Sequence, residues 1–140
     1  MAKKNEKLRT IAYWVTTILG PTSFVIGGTM FLMRHEQPVT NISHLGYPIY
    51  MLSILGVFKI LGAIVITLPK LPLLKEWAYA GFAIDLIGGA ASHAFSGDPF
   101  FSGQGAQIAS PLIFLALVVV SWALRPASRR LPGTELFKSD

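Results

Sequence analysis

Apolar positions run along this chain in four long blocks, separated by short breaks rich in proline, glycine and charge. The blocks extend from about Thr10 to Met33, from Pro48 to Leu68, from Leu74 to Phe95 and from Ile108 to Leu124. A hydrocarbon core about 30 Å thick needs roughly 20 residues of helix at a rise of 1.5 Å per residue. The pattern therefore predicts an all-α fold, a bundle of four transmembrane helices over residues 10–125. A basic segment, residues 1–9, precedes it and a polar tail, residues 126–140, follows. Arg34-His35-Glu36-Gln37-Pro38 ends the first block, Ser96-Gly97-Asp98-Pro99 the third and Arg125-Pro126 the fourth. Pro48 suits the first turn of a helix, where its missing N–H is not needed. Pro69-Lys70-Leu71-Pro72 predicts a tight hairpin between the second and third helices, and Gly20-Pro21 a kink within the first.

Charge adds an orientation. With four spans, the N-terminus, the hairpin and the C-terminus share one side. Lys3, Lys4, Lys7, Arg9, Lys70, Lys75, Arg125, Arg129, Arg130 and Lys138 all fall there, against Arg34 alone on the other. Cytoplasmic loops collect Lys and Arg, so both termini are expected in the cytoplasm. Trp14, Trp77 and Trp122 near one boundary, and Tyr47 and Tyr50 near the other, fit the aromatic belts of the two interfaces. The first block follows basic residues as a signal peptide's core does, but it is longer and lacks an A-x-A-like cleavage site. It is expected to stay as a helix.

Composition narrows the function classes. Hydrophobic residues make up 52% and charged residues 14%, too few charges to wet a soluble surface. The net charge of +5 sits at the ends of apolar runs and not in a basic patch interleaved with aromatics, so nucleic acid is not an expected partner. Cysteine is absent, which excludes disulfides, thiol redox chemistry and Cys-held clusters. No phosphate loop, dinucleotide fingerprint or hydrolytic motif is present, so the sequence offers no self-contained catalytic motif, which leaves open an accessory subunit of a quinone-linked oxidoreductase.

Two ionisable residues interrupt the apolar blocks, Lys59 in the second helix and Asp85 in the third. A charge at the bilayer centre costs on the order of 3 kcal/mol, so each needs a partner. Counted from the hairpin at Leu71, both lie about 20 Å along their helices, which predicts a Lys59–Asp85 pair at one depth. Gly81, Asp85, Gly89 and His93 form a stripe on the third helix, and Gly56, Lys59, Gly62 and Ala63 a face on the second. These small residues are expected to bring the two backbones close together. The pair either fixes helix register or forms a polar site for a proton, a quinone oxygen or a small polar ligand. His93, with Ser92 beside it, is a candidate for handling a proton or ligand toward the outer side, or else a satisfied interfacial histidine. His35 and His44 read as ordinary loop residues. The three histidines lack close ligand spacing, and no metal is expected. Thr16, Thr17, Thr22 and Ser23 either line a cavity or bond back to the helix beside the kink.

Several stretches taken together resemble the DoxX-like family of small four-helix bacterial membrane proteins. They are Leu45-Gly46-Tyr47-Pro48, the run Leu55 to Ala63, the run Lys75 to Phe82, Asp85-Leu86-Ile87-Gly88-Gly89-Ala90, Ser92-His93 and Ser121-Trp122-Ala123-Leu124-Arg125-Pro126. The similarity runs from about Tyr13 to Arg130. It implies a four-helix bundle in the bacterial inner membrane, and the family takes its name from a subunit of a thiosulfate:quinone oxidoreductase. The polar pair at one depth, taken with this resemblance, points to a multi-pass membrane subunit that binds a quinone-like or amphipathic ligand and works with a redox protein partner, or with further copies of itself. Lys59, Asp85, His93 and Ser92 are then the ligand-binding or proton-handling candidates, with quinone as the cofactor to consider. One alternative is a non-catalytic membrane protein acting in assembly or stress protection through protein partners. Another is a small proton or solute pathway.

Overall fold

All regular structure among the described residues, 1–101 and 106–132, is helical in the computed structural model of the chain. Helix α1 spans Ala2–Leu19 and α2 spans Phe24–Leu32, with a 3-10 turn at Pro21–Ser23 between them. Helix α3 covers Glu36–His44, α4 Met51–Thr67, α5 Pro72–Phe95 and α6 Ala109–Leu124, and a second 3-10 turn covers Ala127–Arg129. The basic start of the chain is thus helical, where a leader to a helix beginning at Thr10 was expected. The tail beyond residue 132, with Lys138, lies outside the described residues.

By length and composition, the 31-residue stretch Ala2–Leu32 is long and apolar enough to cross a membrane. Met51–Thr67 and Ala109–Leu124 are apolar but shorter. Helix α5 has the length, at 24 residues, but Lys75, Glu76 and Asp85 dilute its apolar character. Apolar side chains nevertheless cover the outside. Ile18, Ile26, Phe58, Ile84 and Ile113, one or more from each long helix, are each more than half exposed.

The expected break in the first helix is a change of partner. Gly20 leaves helical geometry (φ −97°, ψ −103°), and Pro21 has no N–H to offer. A Cβ at Gly20 would stand 2.8 Å from the Thr16 carbonyl and 2.9 Å from Leu117 Cβ, so glycine is what lets α1 lie against α6 there. Nearby hydroxyls bond back to the interrupted backbone, Thr16 to Ala12 at 2.8 Å and Ser23 to Gly20 at 2.6 Å. Before the break α1 packs on α6; after it α2 packs on α4. Helix α5 packs on both α4 and α6. The first strut of the bundle therefore crosses from one neighbour to the other, and space is left between α2 and α6.

Helix α3 departs from the sequence reading, which ended the first helix at Arg34–Pro38 and placed loop beyond it. Arg34 adopts a left-handed conformation (φ 55°) and closes α2, while its guanidinium bonds the Ile49 carbonyl at 2.9 Å and Ser53 Oγ at 2.8 Å. Pro38 then stands in the first turn of α3, where helices accept proline. Glu36 at the start of α3 and His44 at its end complement the helix dipole. Pro48 precedes α4 in a tight turn, with Met51 N–H bonded to the Pro48 carbonyl at 3.0 Å, and does not begin the helix.

The core joins Phe24, Ala63, Ile66, Tyr79, Phe82, Leu86 and Val118. At the end of the bundle holding the α4–α5 hairpin, Tyr79 and Thr17 both bond Ser121 Oγ, at 2.7 and 2.6 Å. The carbonyls that end α4 are capped by cations. Buried Lys75 donates to Val65 O at 2.6 Å and to Leu68 O, and Arg129 donates to Ile66 O at 3.0 Å. Leu68 O keeps Arg129 as a donor at 3.2 Å, so Lys75→Met should leave the Val65 carbonyl unpaired and lower stability by about 1–2 kcal/mol. Thermal unfolding of the detergent-solubilised protein checks this.

Candidate functional site

Helices α4 and α5 run antiparallel from the hairpin, and Lys59 Nζ donates to Asp85 Oδ2 across them. The side chains are 12% and 23% exposed. The ammonium also lies 4.9 Å from the Phe24 ring centroid and 5.3 Å from that of Phe31, both on α2. Cation, carboxylate and two ring faces thus form one compact group, and the attraction of a cation to a ring face grows as water is excluded.

This group forms part of the wall of a cavity of about 530 Å³ between α2 and α6. Phe31, Ile42, Leu55, Leu86 and Phe114 supply apolar wall, and His93 and Ser110 supply polar groups. The two halves of the first strut explain the cavity: α2 leaves α6 to pack on α4, and α3 folds over the space, contributing Gln37, Pro38 and Asn41.

The glycines differ from their sequence reading. A Cβ at Gly81 or Gly89 would meet nothing within 4 Å, so that stripe does not bring α5 close to another backbone. Gly89 lines the cavity, and its missing side chain leaves that volume empty. The close approach lies between α2 and α4, where a Cβ at Gly28 would stand 2.7 Å from the Gly56 carbonyl. On α4, Gly62 is filled by the Phe82 ring.

His93 belongs to a second constellation. Helix α5 ends in a reciprocal cap: Gly97, at φ +80°, donates to Ala94 O at 3.1 Å, and Asp98 N–H donates to His93 O at 3.1 Å. This folds the Asp98 side chain back onto His93, and the carboxylate meets Nδ1 at 2.7 Å. Helix α3 ends in the same way, with Gly46 at φ +81° bonded to Ser43 O and Tyr47 N–H to Ile42 O. Its last residue, His44, brings Nε2 to the same carboxylate at 2.8 Å. The two imidazoles stack with centroids 6.3 Å apart. These two hydrogen bonds hold the Asp98 carboxyl below its ordinary pKa, His93 contributing most.

Of the sequence candidates, Lys59, Asp85 and His93 share the cavity. Ser92 points to a smaller recess of about 230 Å³, where its hydroxyl pairs with Tyr47 at 3.0 Å. His35 stands apart at the start of α3. The sequence reading left His44 in a loop, passed over Asp98, and found no ligand spacing among the histidines. The available signal was the helix-ending glycine following each histidine, Gly46 after His44 and Gly97 after His93.

The sequence profile of the DoxX-like family matches residues 15–121. The chain belongs to the DoxX-like family. The match takes in α2 to α5 and α6 as far as Ser121, and membership of the DoxX-like family is consistent with a membrane protein. No curated protein and no solved structure matches the chain.

Proposed function

We propose that this DoxX-like protein crosses the bacterial inner membrane four times, with both termini cytoplasmic, and holds an amphipathic, quinone-like ligand between its helices. The observation that carries this reading is the cavity of about 530 Å³ with Lys59, Asp85 and His93 in an otherwise largely apolar wall. Ligand sites commonly have this volume and this ratio of apolar wall to a few placed polar groups. A quinone-like head fits the donor set: Lys59 donates to a carbonyl oxygen, while Asp85 and His93 stand in the same wall as hydrogen-bond partners for the other polar groups of the head. The apolar exterior supports the bilayer placement, because buried Thr17, Ser121 and Lys75 lie inside a shell of exposed isoleucine, leucine and phenylalanine. The basic residues gathered at the termini and hairpin support the orientation.

A second reading is favoured by one feature, that Lys59 already has a carboxylate and two ring faces as partners. The pair is then structural, and the protein acts through protein partners in assembly or stress protection.

Filling the cavity without touching the pair separates the two. Gly89→Leu enters the cavity, whereas Gly81→Leu adds the same bulk to α5 away from it. Calorimetry in nanodiscs with a decyl-substituted benzoquinone should show saturable binding, weakened at least about tenfold by Gly89→Leu (about 1.4 kcal/mol) and unchanged by Gly81→Leu. Equal binding by Gly89→Leu, or no saturable binding by the native protein, rejects the ligand site and leaves the structural reading.

A further inference from the structure

We propose that His44, His93 and Asp98 form a binding site for a divalent transition metal ion of the zinc class. One ligand atom from each of the three residues lies within 4.8 Å of the others. The three come from separate places in the fold, the last turn of α3, the last turn of α5 and the turn after α5. Each is set by a backbone device. The cap at Gly97 turns Asp98 onto His93, and the cap at Gly46 ends α3 at His44. The Tyr47–Ser92 hydrogen bond ties the same two helix ends together.

The chemistry fits a cation better than a network made for its own sake. Two imidazoles and one carboxylate suit zinc, cobalt and nickel, whereas calcium and magnesium prefer sites made of oxygen alone. In a tetrahedral site with bonds of about 2.0–2.1 Å, ligand atoms stand about 3.3 Å apart. His93 Nδ1 and Asp98 Oδ2 are at 2.7 Å, and His44 Nε2 and Asp98 Oδ1 at 2.8 Å. A small opening of the carboxylate from the rings therefore admits an ion. The protons now shared between rings and carboxylate leave those nitrogens when the ion enters, moving to the other ring nitrogen or to water.

Burial gives the site a fixed part and an entry. The His93 side chain is 8% exposed and Asp98 17%, while His44 is 51% exposed and forms the open side of the site. Three protein ligands leave at least one position for water or an incoming group. The site also lies at the end of the bundle opposite the α4–α5 hairpin and the basic start of α1, away from the cations gathered there among the described residues. Arg34, the nearest cation in the chain order of that end, is engaged with Ile49 and Ser53.

The test uses tag-free protein in detergent and Co(II) as the probe, read by its visible d–d absorption and confirmed by Zn(II) displacement. One Co(II) should bind per chain. His93→Ala and Asp98→Asn should each weaken binding by at least about a hundredfold, since even partners one shell further out cost 10–100-fold. His44→Gln, at a half-exposed position, should weaken binding with helicity and monodispersity unchanged, which keeps the result independent of any folding defect. Gly89→Leu should bind Co(II) normally, so loss of the cavity ligand and loss of the metal remain distinguishable. Absence of a Co(II) signal in the folded native protein, or binding retained by the His93→Ala/Asp98→Asn double variant, overturns the site.

Discussion

Asp85→Ala should destabilise the bundle by about 3–5 kcal/mol, because it leaves the Lys59 ammonium in an apolar interior without its counter-ion. Lys59→Ala should cost a similar amount for the mirror reason. The double variant Lys59→Met/Asp85→Leu should recover most of the loss, since well-packed apolar groups replace buried ion pairs at little or no cost. The asymmetry follows from where the charges lie. Both side chains are mostly shielded, and the cation is flanked by the rings of Phe24 and Phe31. Chemical unfolding in mixed micelles, followed by helicity, measures all three. The double variant also separates the two functional readings. If the pair only holds α4 to α5, stability and cellular function return together. If it holds a ligand head, stability returns and quinone binding does not. A loss below about 1 kcal/mol for Asp85→Ala would mean that water reaches the carboxylate as at a protein surface, and the mid-bilayer placement would fall with it.

How much of this was legible in the sequence depended on how far apart along the chain the partners lie. The hairpin Pro69–Pro72 fixes the register between α4 and α5, so counting residues from it sets Lys59 and Asp85 level, and their side chains meet. No such counting reaches from His44 to Asp98, which are 54 positions apart. Their meeting depends on α3, whose proline at position 38 read as a terminator because Pro38 follows a charged break. Only the cap at Arg34 shows that a new helix has already begun. Glycine stripes were legible as stripes, but a one-dimensional pattern does not say which stripe faces a neighbour. Gly81 and Gly89 face open space while Gly28 and Gly56 face each other. The four apolar blocks appear as helices, yet α4 and α6 are shorter than the blocks that predicted them, since tight turns at Pro48 and before Ala109 take up their ends.

Gly28→Leu and Gly27→Leu, adjacent and chemically identical changes, should differ by at least about 3 kcal/mol. A Cβ at Gly28 would lie 2.7 Å from the Gly56 carbonyl oxygen, 2.8 Å from Ile60 Cγ1 and 3.2 Å from Lys59 Cβ. The first of these is backbone and cannot rotate away, so α2 must move off α4, beyond the usual 1–3 kcal/mol of overpacking. Gly27 meets nothing within 4 Å and lines the cavity. Leucine there gains helix propensity, roughly 0.8–1 kcal/mol relative to glycine, and should leave the unfolding midpoint unchanged or slightly raised. Equal destabilisation by both would show that α2 does not pack on α4 through this face. The displacement expected of Gly28→Leu also has a direction: it carries Phe24 and Phe31 away from Lys59, because all three are held by the same contact between α2 and α4. Lys59 then loses its ring partners while keeping Asp85. Quinone binding should accordingly fall in Gly28→Leu through loss of the cavity wall and in Gly27→Leu through loss of the cavity volume. Only the first of these should be accompanied by a loss of stability.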